Sequence, residues 1–244
     1  MLYIGMSGAK ESLLAQGLNN HNLANVSTTG FRADLEQARS QPVFGPGLPS
    51  RAYAMTERPG IDYSPGPLET TGRNLDAAIE QQGWFAIQAP DGTEAYTRAG
   101  DMRITANGLL VTGAGHPVMG NAGPIVIPPS QSLTIGTEGN ITIRPIGQGA
   151  DELAVVDRIK MVNPSLEEME KGRDGLFRQK NGQAADADAD VRLISGALER
   201  SNVSVVESMV KMIHLSRHFD MQMKAIRTAE EVDQSSDMLL KMSG

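Results

Sequence analysis

The chain has 244 residues, a formal net charge of −7 and no cysteine. The acidic balance offers no basic field for nucleic acid, and the missing thiols exclude disulfides and thiolate metal centres. Aromatic residues make up only 4% against 13 methionines and 26 glycines, so any single core is thin.

Residues 1 to about 25 follow a helical spacing, with Leu2, Met6, Ala9 and Leu13 on one stripe and Leu14 and Leu18 on its flank. The helix runs into NNHNLANVSTTGF, where Asn19, Asn20, Asn22 and Asn25 precede a Ser-Thr-Thr-Gly turn and Phe31. Asparagine is a poor interior helix residue because its amide competes for nearby backbone groups. These asparagines are expected to terminate the helix and to fix register between subunits.

Residues 36–67 carry Pro42, Pro46, Pro49, Pro59, Pro65 and Pro67 among glycines, which reads as an extended connector. Residues 68–195 hold many short β-prone runs separated by turns. Pro90-Asp91-Gly92, Asn107-Gly108 and Gly139-Asn140 are hairpin signals, and together they predict an all-β domain.

Residues 196–244 have no proline, and their only glycines are Gly196 and Gly244. Val205, Met212, Phe219 and Ile226 recur every seven residues, interleaved with Met209, Ser216 and Met223. A helix of roughly 40 residues would be about 60 Å long, too long to lay its stripe on a small β-domain. The expected fold class is therefore α+β. Long N- and C-terminal helices (residues 1–35 with the turn, and 196–244) form a coiled-coil-like stalk around an inserted all-β middle domain.

Catalytic and metal-binding patterns are weak. GMSGA at 5–9 approaches a nucleophile elbow, but Ala9 stands where glycine is needed and no strand precedes it. His214 and His218 lie one helical turn apart without an obvious third ligand, and DADAD at 186–190 lacks the Gly and Glu of a calcium loop. Arg98, Asp101 and His116 are the best polar set an enzyme could draw on. No enzymatic activity, cofactor or metal is expected. No Sec-type signal is visible in residues 1–30, and no apolar run approaches bilayer length.

The block NLANVSTTGF resembles the N-terminal signature of the flagellar axial proteins, the rod and hook family, through Asn22, Leu23, Ala24, Asn25, Val26, Thr28, Thr29, Gly30 and Phe31. His21, Ser27 and Arg32 depart from it. Two further blocks follow in order. YSPGPLETTGRNLDAAIEQQGWFAIQAPDGTEAYTRAGDM is similar to the family's central block, and GALERSNVSVVESMVKMI to its C-terminal signature through Leu198, Glu199, Ser201, Asn202, Val203, Met209 and Ile213. RHFDMQMKAI carries Gln222 where hook and distal-rod members usually have Asn, so the chain is more similar to proximal-rod members.

The resemblance implies a structural subunit of the basal-body rod, polymerising helically into a periplasmic drive shaft. Implied partners are its own copies, other proximal-rod proteins, the distal-rod protein and the flagellar type III export apparatus, with no nucleic acid and no membrane insertion. Export would occur without cleavage of a signal. The expected subunit interface comprises Leu13, Asn22, Leu23, Asn25, Thr29, Gly30 and Phe31 near the N-terminus. Towards the C-terminus it comprises Leu198, Asn202, Val203, Met209, Met212, Ile213, Phe219, Met223 and Ile226.

Overall fold

The structure is a computed structural model of the chain, described over residues 2–42, 52–147 and 153–242. It divides into two compact units. One comprises residues 1–26, 33–62 and 203–244, and the other residues 27–32 and 63–202.

The first unit contains two helices and a hairpin. Helix α1 spans Leu2–Ala24 and helix α2 spans Val205–Met242. Ser204 caps α2: its Oγ accepts the Glu207 N–H at 3.3 Å, and Glu207 adds a negative charge at the positive end of the helix. At the other end of the chain, α1 tightens into its last turn. Asn25 N–H donates to the Asn22 carbonyl and Val26 N–H to that of Leu23, while Asn25 Nδ2 donates to the His21 carbonyl at 3.0 Å. The orphan carbonyls of the helix end are thereby answered.

Strands β1, Asp34–Pro42, and β2, Ala52–Ile61, pair antiparallel. Sequence alone reads this stretch as an extended connector because of its prolines. The ribbon tolerates Pro59 because the register shifts between Leu35 and Gln37, which face Gly60 and Glu57, so Pro59 lies in a bulge of a two-stranded ribbon. Residues 43–51, with Pro46 and Pro49, lie outside the described residues, as does the side chain of Leu2.

The α+β class holds, but the coiled-coil-like stalk does not. The described residues form two α-helices of unequal length, 23 and 38 residues, and α1 packs against the hairpin as well as against α2. The side of α2 turned inward is Ser208, Met212, Leu215, Phe219, Gln222, Ile226 and Ala229. Of the heptad stripe, Met212, Phe219, Met223 and Ile226 are half-buried, while Val205, Met209 and Ser216 are exposed. The facing side of α1 is built from small and polar residues. A Cβ on Gly5 would come within 2.9 Å of Ile226 Cγ1, and one on Gly8 within 3.1 Å of Gln222 Cδ. Ser12 Oγ lies 2.9 Å from His218 Nδ1, and Asn19 Nδ2 donates to the Ser208 carbonyl at 2.8 Å. Coiled coils interlock large apolar knobs at both repeat positions. Here one helix supplies Gly, Ala and Ser instead, and every second inward position of α2 is Ser208, Leu215, Gln222 or Ala229.

Among the described residues, the second unit is all-β apart from one 3₁₀ turn at Leu166–Glu168. Its largest sheet orders Met161–Val162, Trp84–Gln88, Glu94–Thr97, Phe177–Gln179 and Met169–Lys171, all antiparallel. A three-stranded sheet joins Ser130–Ile135, Asn140–Pro145 and Ala154–Arg158. Short pairs complete it, including Ala197–Glu199 with Leu68–Thr70 and Met102–Ile104 with Leu110–Thr112. The residues expected to begin the C-terminal helix are thus partly strand. Turns fall at Gly92 and Gly108, both with positive φ. The core is aliphatic: Met102, Leu110, Val118, Ile125, Ile141, Ile159 and Leu193 with Phe85. Trp84 and Phe177 stack with centroids 4.4 Å apart, and Tyr63 lies about 6 Å from both.

Candidate assembly surface

In the helical unit many large apolar side chains stay exposed, beside the half-buried Met212, Leu215, Phe219, Met223 and Ile226. Leu13, Leu14, Met209 and Ile213 are each about half exposed, at 52%, 51%, 52% and 53%, and Val206 reaches 71%. Met6, Val210, Met221, Val232 and Met238 are exposed as well. Monomeric proteins do expose single apolar residues, but runs along two adjacent helices mark an interaction face.

The expected interface residues do not form one patch. Leu13, Met209 and Ile213 lie on the outer faces. Met212, Phe219, Met223 and Ile226 are half-buried on α2. Asn22 and Asn25 are used within the chain. Asn22 Nδ2 donates to the Asp34 carbonyl at 2.9 Å, and the Asp34 N–H donates to Asn22 Oδ1 at 3.0 Å. Leu23 and Val203 are half-buried. His21 Nδ1 lies 3.2 Å from Asp34 Oδ2, and Lys211 reaches Glu36 at 3.1 Å.

Thr29, Gly30, Phe31, Leu198 and Asn202 belong to the β-rich unit. Gly30 has φ +67°, and a Cβ there would sit 2.3 Å from the Arg98 carbonyl carbon, so only glycine fits. Asn202 N–H donates to the Phe31 carbonyl at 3.3 Å, and Lys171 Nζ lies 4.2 Å from the Phe31 ring centroid. Leu198 pairs with Glu69 in its short sheet.

A buried charge cluster escaped the sequence reading. Arg32 Nη2 lies 2.5 Å from Glu199 Oε1, and Arg98 Nη1 lies 2.9 Å from Glu199 Oε2. Arg32 and Glu199 are each 1% exposed. Both guanidiniums stand within 6 Å of the Trp84 ring centroid. Burial pulls the Arg98 pKa down, Glu199 raises it and the charge of Arg32 lowers it again. Arg32 makes the ion pair with poor hydrogen-bond alignment, and its three nitrogens find no other partner. The one available signal was that Arg98 and Glu199 fall inside signature blocks and that Arg32 directly follows one.

Arg98 is therefore structural. Asp101 lies in another strand region against Gly113, and His116 closes a tight turn by donating its N–H to Thr112 Oγ1 at 3.2 Å. These three share no site with a nucleophile. Among the described residues, no group of three His, Asp or Glu side chains is placed to hold a metal ion.

Residues 78–143 match the family model described as flagellar hook protein FlgE/F/G D1 domain, and residues 194–238 match flagellar basal body rod FlgEFG protein C-terminal. The chain is 41% identical over 248 residues to the flagellar basal-body rod protein FlgF of Escherichia coli, covering 99% of this chain and 98% of that one. It is equally similar to the FlgF of Salmonella typhimurium, with the same coverage. To the flagellar basal-body rod protein FlgG of Bacillus subtilis it is 32% identical, covering 95% of each.

Proposed function

Because this chain belongs to the flagellar basal-body rod protein family and is a structural subunit of that rod, we propose that it polymerises through the outward apolar faces of α1 and α2. It is not an enzyme. It resides in the flagellar basal body, where it assembles with other rod proteins and with its own copies. The 41% identity to the FlgF proteins of Escherichia coli and Salmonella typhimurium, against 32% to the FlgG of Bacillus subtilis, supports a place in the proximal rod, below the distal-rod protein.

One observation carries the assembly reading: Leu13, Met209 and Ile213 are exposed while Ser12, Ala15 and Ser208 are buried. A helix pair built to stand alone would place its leucines inside. Repeated heterologous contacts between subunits of a helical shaft would cover this surface and bury the leucines there. Because Leu13, Met209 and Ile213 are already about half covered, each is worth about half of the roughly 1.5–3 kcal/mol gained on fully burying such a side chain. In this reading the subunits travel through the flagellum's own type III export apparatus without signal cleavage. They then form a periplasmic shaft that transmits torque. Among the described residues, no helix is long and apolar enough to cross a membrane.

The test is complementation of a strain lacking this subunit with Leu13→Asp or Ile213→Asp. Both positions are surface sites in the isolated chain, so the purified variants should keep the native circular dichroism spectrum. Rods should stop short and cells should not swim. A motile strain carrying either substitution would overturn the reading.

A further inference from the structure

The chain passes between its two units four times, after residues 26, 32, 62 and 202. On the β-rich side these passages belong to three segments: residues 27–32, the stretch from Tyr63 to Pro67, and the stretch from Ala197 to Asn202. All three meet at Glu199. Its carbonyl accepts the Gly30 N–H at 2.7 Å, and its Oε1 accepts the Gly66 N–H at 2.9 Å. The same Oε1 holds Arg32, and Oε2 holds Arg98.

The segments are also tied directly to one another. Arg200 N–H donates to the Pro67 carbonyl at 2.9 Å, Asn202 N–H donates to the Phe31 carbonyl, and Asn202 Nδ2 donates to the Ser64 carbonyl at 3.1 Å. A Cβ on Gly66 would lie 2.0 Å from the Arg200 carbonyl oxygen, so these two segments cross in backbone contact. Arg98 fastens the group to the body of the unit, since it also donates to the Gln81 carbonyl at 2.6 Å.

We propose that Glu199 is the centre of a clasp that joins all four passages into one cooperative joint, so that a pull on any passage is shared by the others. The chemistry favours all-or-none behaviour. Removing Glu199 would leave two buried guanidiniums with no counter-charge, and removing either arginine would take from the shared carboxylate one of the two groups that fix it, so loss of one member loosens the whole set. The clasp therefore resists opening strand by strand. Its use in a shaft under torque rests on the rod reading; its existence does not.

Hydrogen exchange on the full-length chain tests it. The amides of Gly30, Gly66, Arg200 and Asn202 report the clasp, and that of Ala86, bonded to the Lys160 carbonyl inside the large sheet, is the control. Glu199→Gln should speed exchange at all four reporters by a common factor of at least tenfold while Ala86 stays within twofold. Arg32→Met, which leaves the Arg98–Glu199 pair in place, should give the same pattern more weakly. Acceleration at Gly66 alone would mean separate bonds and no joint. No acceleration, or equal acceleration at Ala86, would equally overturn the clasp. Because exchange is read on isolated chain, its failure is distinct from failure of rod completion in the complementation test.

Discussion

The Asn22 carboxamide makes both of its bonds to one residue, Asp34, donating to its carbonyl and accepting its N–H. In this way the end of α1 imitates a strand partner for the first residue of β1. The asparagine run thus joins helix to hairpin and helix to helix, with Asn19 held on the Ser208 carbonyl and Asn25 closing the last turn. Asn22→Ala should cost about 1–3 kcal/mol, the usual effect of stranding two partly buried backbone groups. Asn22→Asp should cost more, because a carboxylate cannot donate and would stand near the Asp34 carboxylate. Thermal melts followed by the helical circular dichroism signal check both. An unchanged midpoint for Asn22→Ala would remove the amide from this account.

The glycines of α1 should respond in opposite ways. Nothing lies within 4 Å of a Cβ placed on Gly17, so Gly17→Ala should gain the helix-propensity difference of about 0.5–1 kcal/mol. Gly8 faces Gln222 at 3.1 Å, so Gly8→Leu should separate the helices and cost about 1–3 kcal/mol through overpacking. Urea midpoints of the two variants should move in opposite directions. Movement in the same direction would mean that α1 does not lie on α2 by this face.

What the sequence made legible follows from how local each signal is. The end of α1 near Asn25 and the turns at Asp91-Gly92 and Asn107-Gly108 could be read because a few adjacent residues determine them. The facing surfaces of the helices could not. Periodicity reveals apolar stripes but not what covers them, and here the apolar surface is split between an intramolecular side with Met212, Phe219 and Ile226 and an outward side with Leu13, Met209 and Ile213. The β1–β2 ribbon was hidden because Pro42 and Pro59 argue against strands unless a bulge and a free edge are known. The Arg32–Glu199–Arg98 cluster joins distant positions, and no local pattern announces such an ion pair.

Asp101 gives the β-rich unit a pH dependence of known sign. Burial holds its carboxyl above the usual carboxylate range, the charge of Asp76 adds to this, and bonds from backbone N–H groups, including that of Gly113, with the charge of Arg73, oppose it. The folded chain therefore binds this proton more readily than the unfolded chain. Stability from this group is present below the unfolded value of 3.8 and is lost as pH rises through the raised folded value. Asp101→Asn keeps an acceptor for Gly113 and removes the titration. The variant should melt higher than the parent at pH 7 and lose that slope in the mildly acidic range. A lower melting temperature at pH 7 would reverse the sign argued here.

Limited proteolysis of the purified chain should cut the helical unit before the β-rich one. On the seam between α1 and α2, Ala9, Ser12, Ala15, Asn19 and Ser208 are buried while the larger Met212, Leu215, Phe219 and Ile226 are only half-buried, so it removes less apolar surface from water than the core of the β-rich unit does. Leu13, Leu14 and Met209, which could stabilise the unit, lie about half exposed on its outer faces. Local opening there should be frequent, and proteases act on such openings. The clasp sharpens the expected boundary. Residues 27–32 belong to the resistant unit through the Gly30 and Arg32 contacts with Glu199, so the surviving core should begin near Ser27 rather than near Tyr63. It should end near Asn202, and a cut in the hairpin should leave the 27–32 piece bound to it. Native gels with fragment masses distinguish the cases. A core starting near Tyr63 would mean that Arg32 holds its segment too weakly to survive cleavage. A helical unit as resistant as the β-rich one would mean that α1 and α2 need no neighbours to be ordered, and the outward apolar faces would then need another explanation.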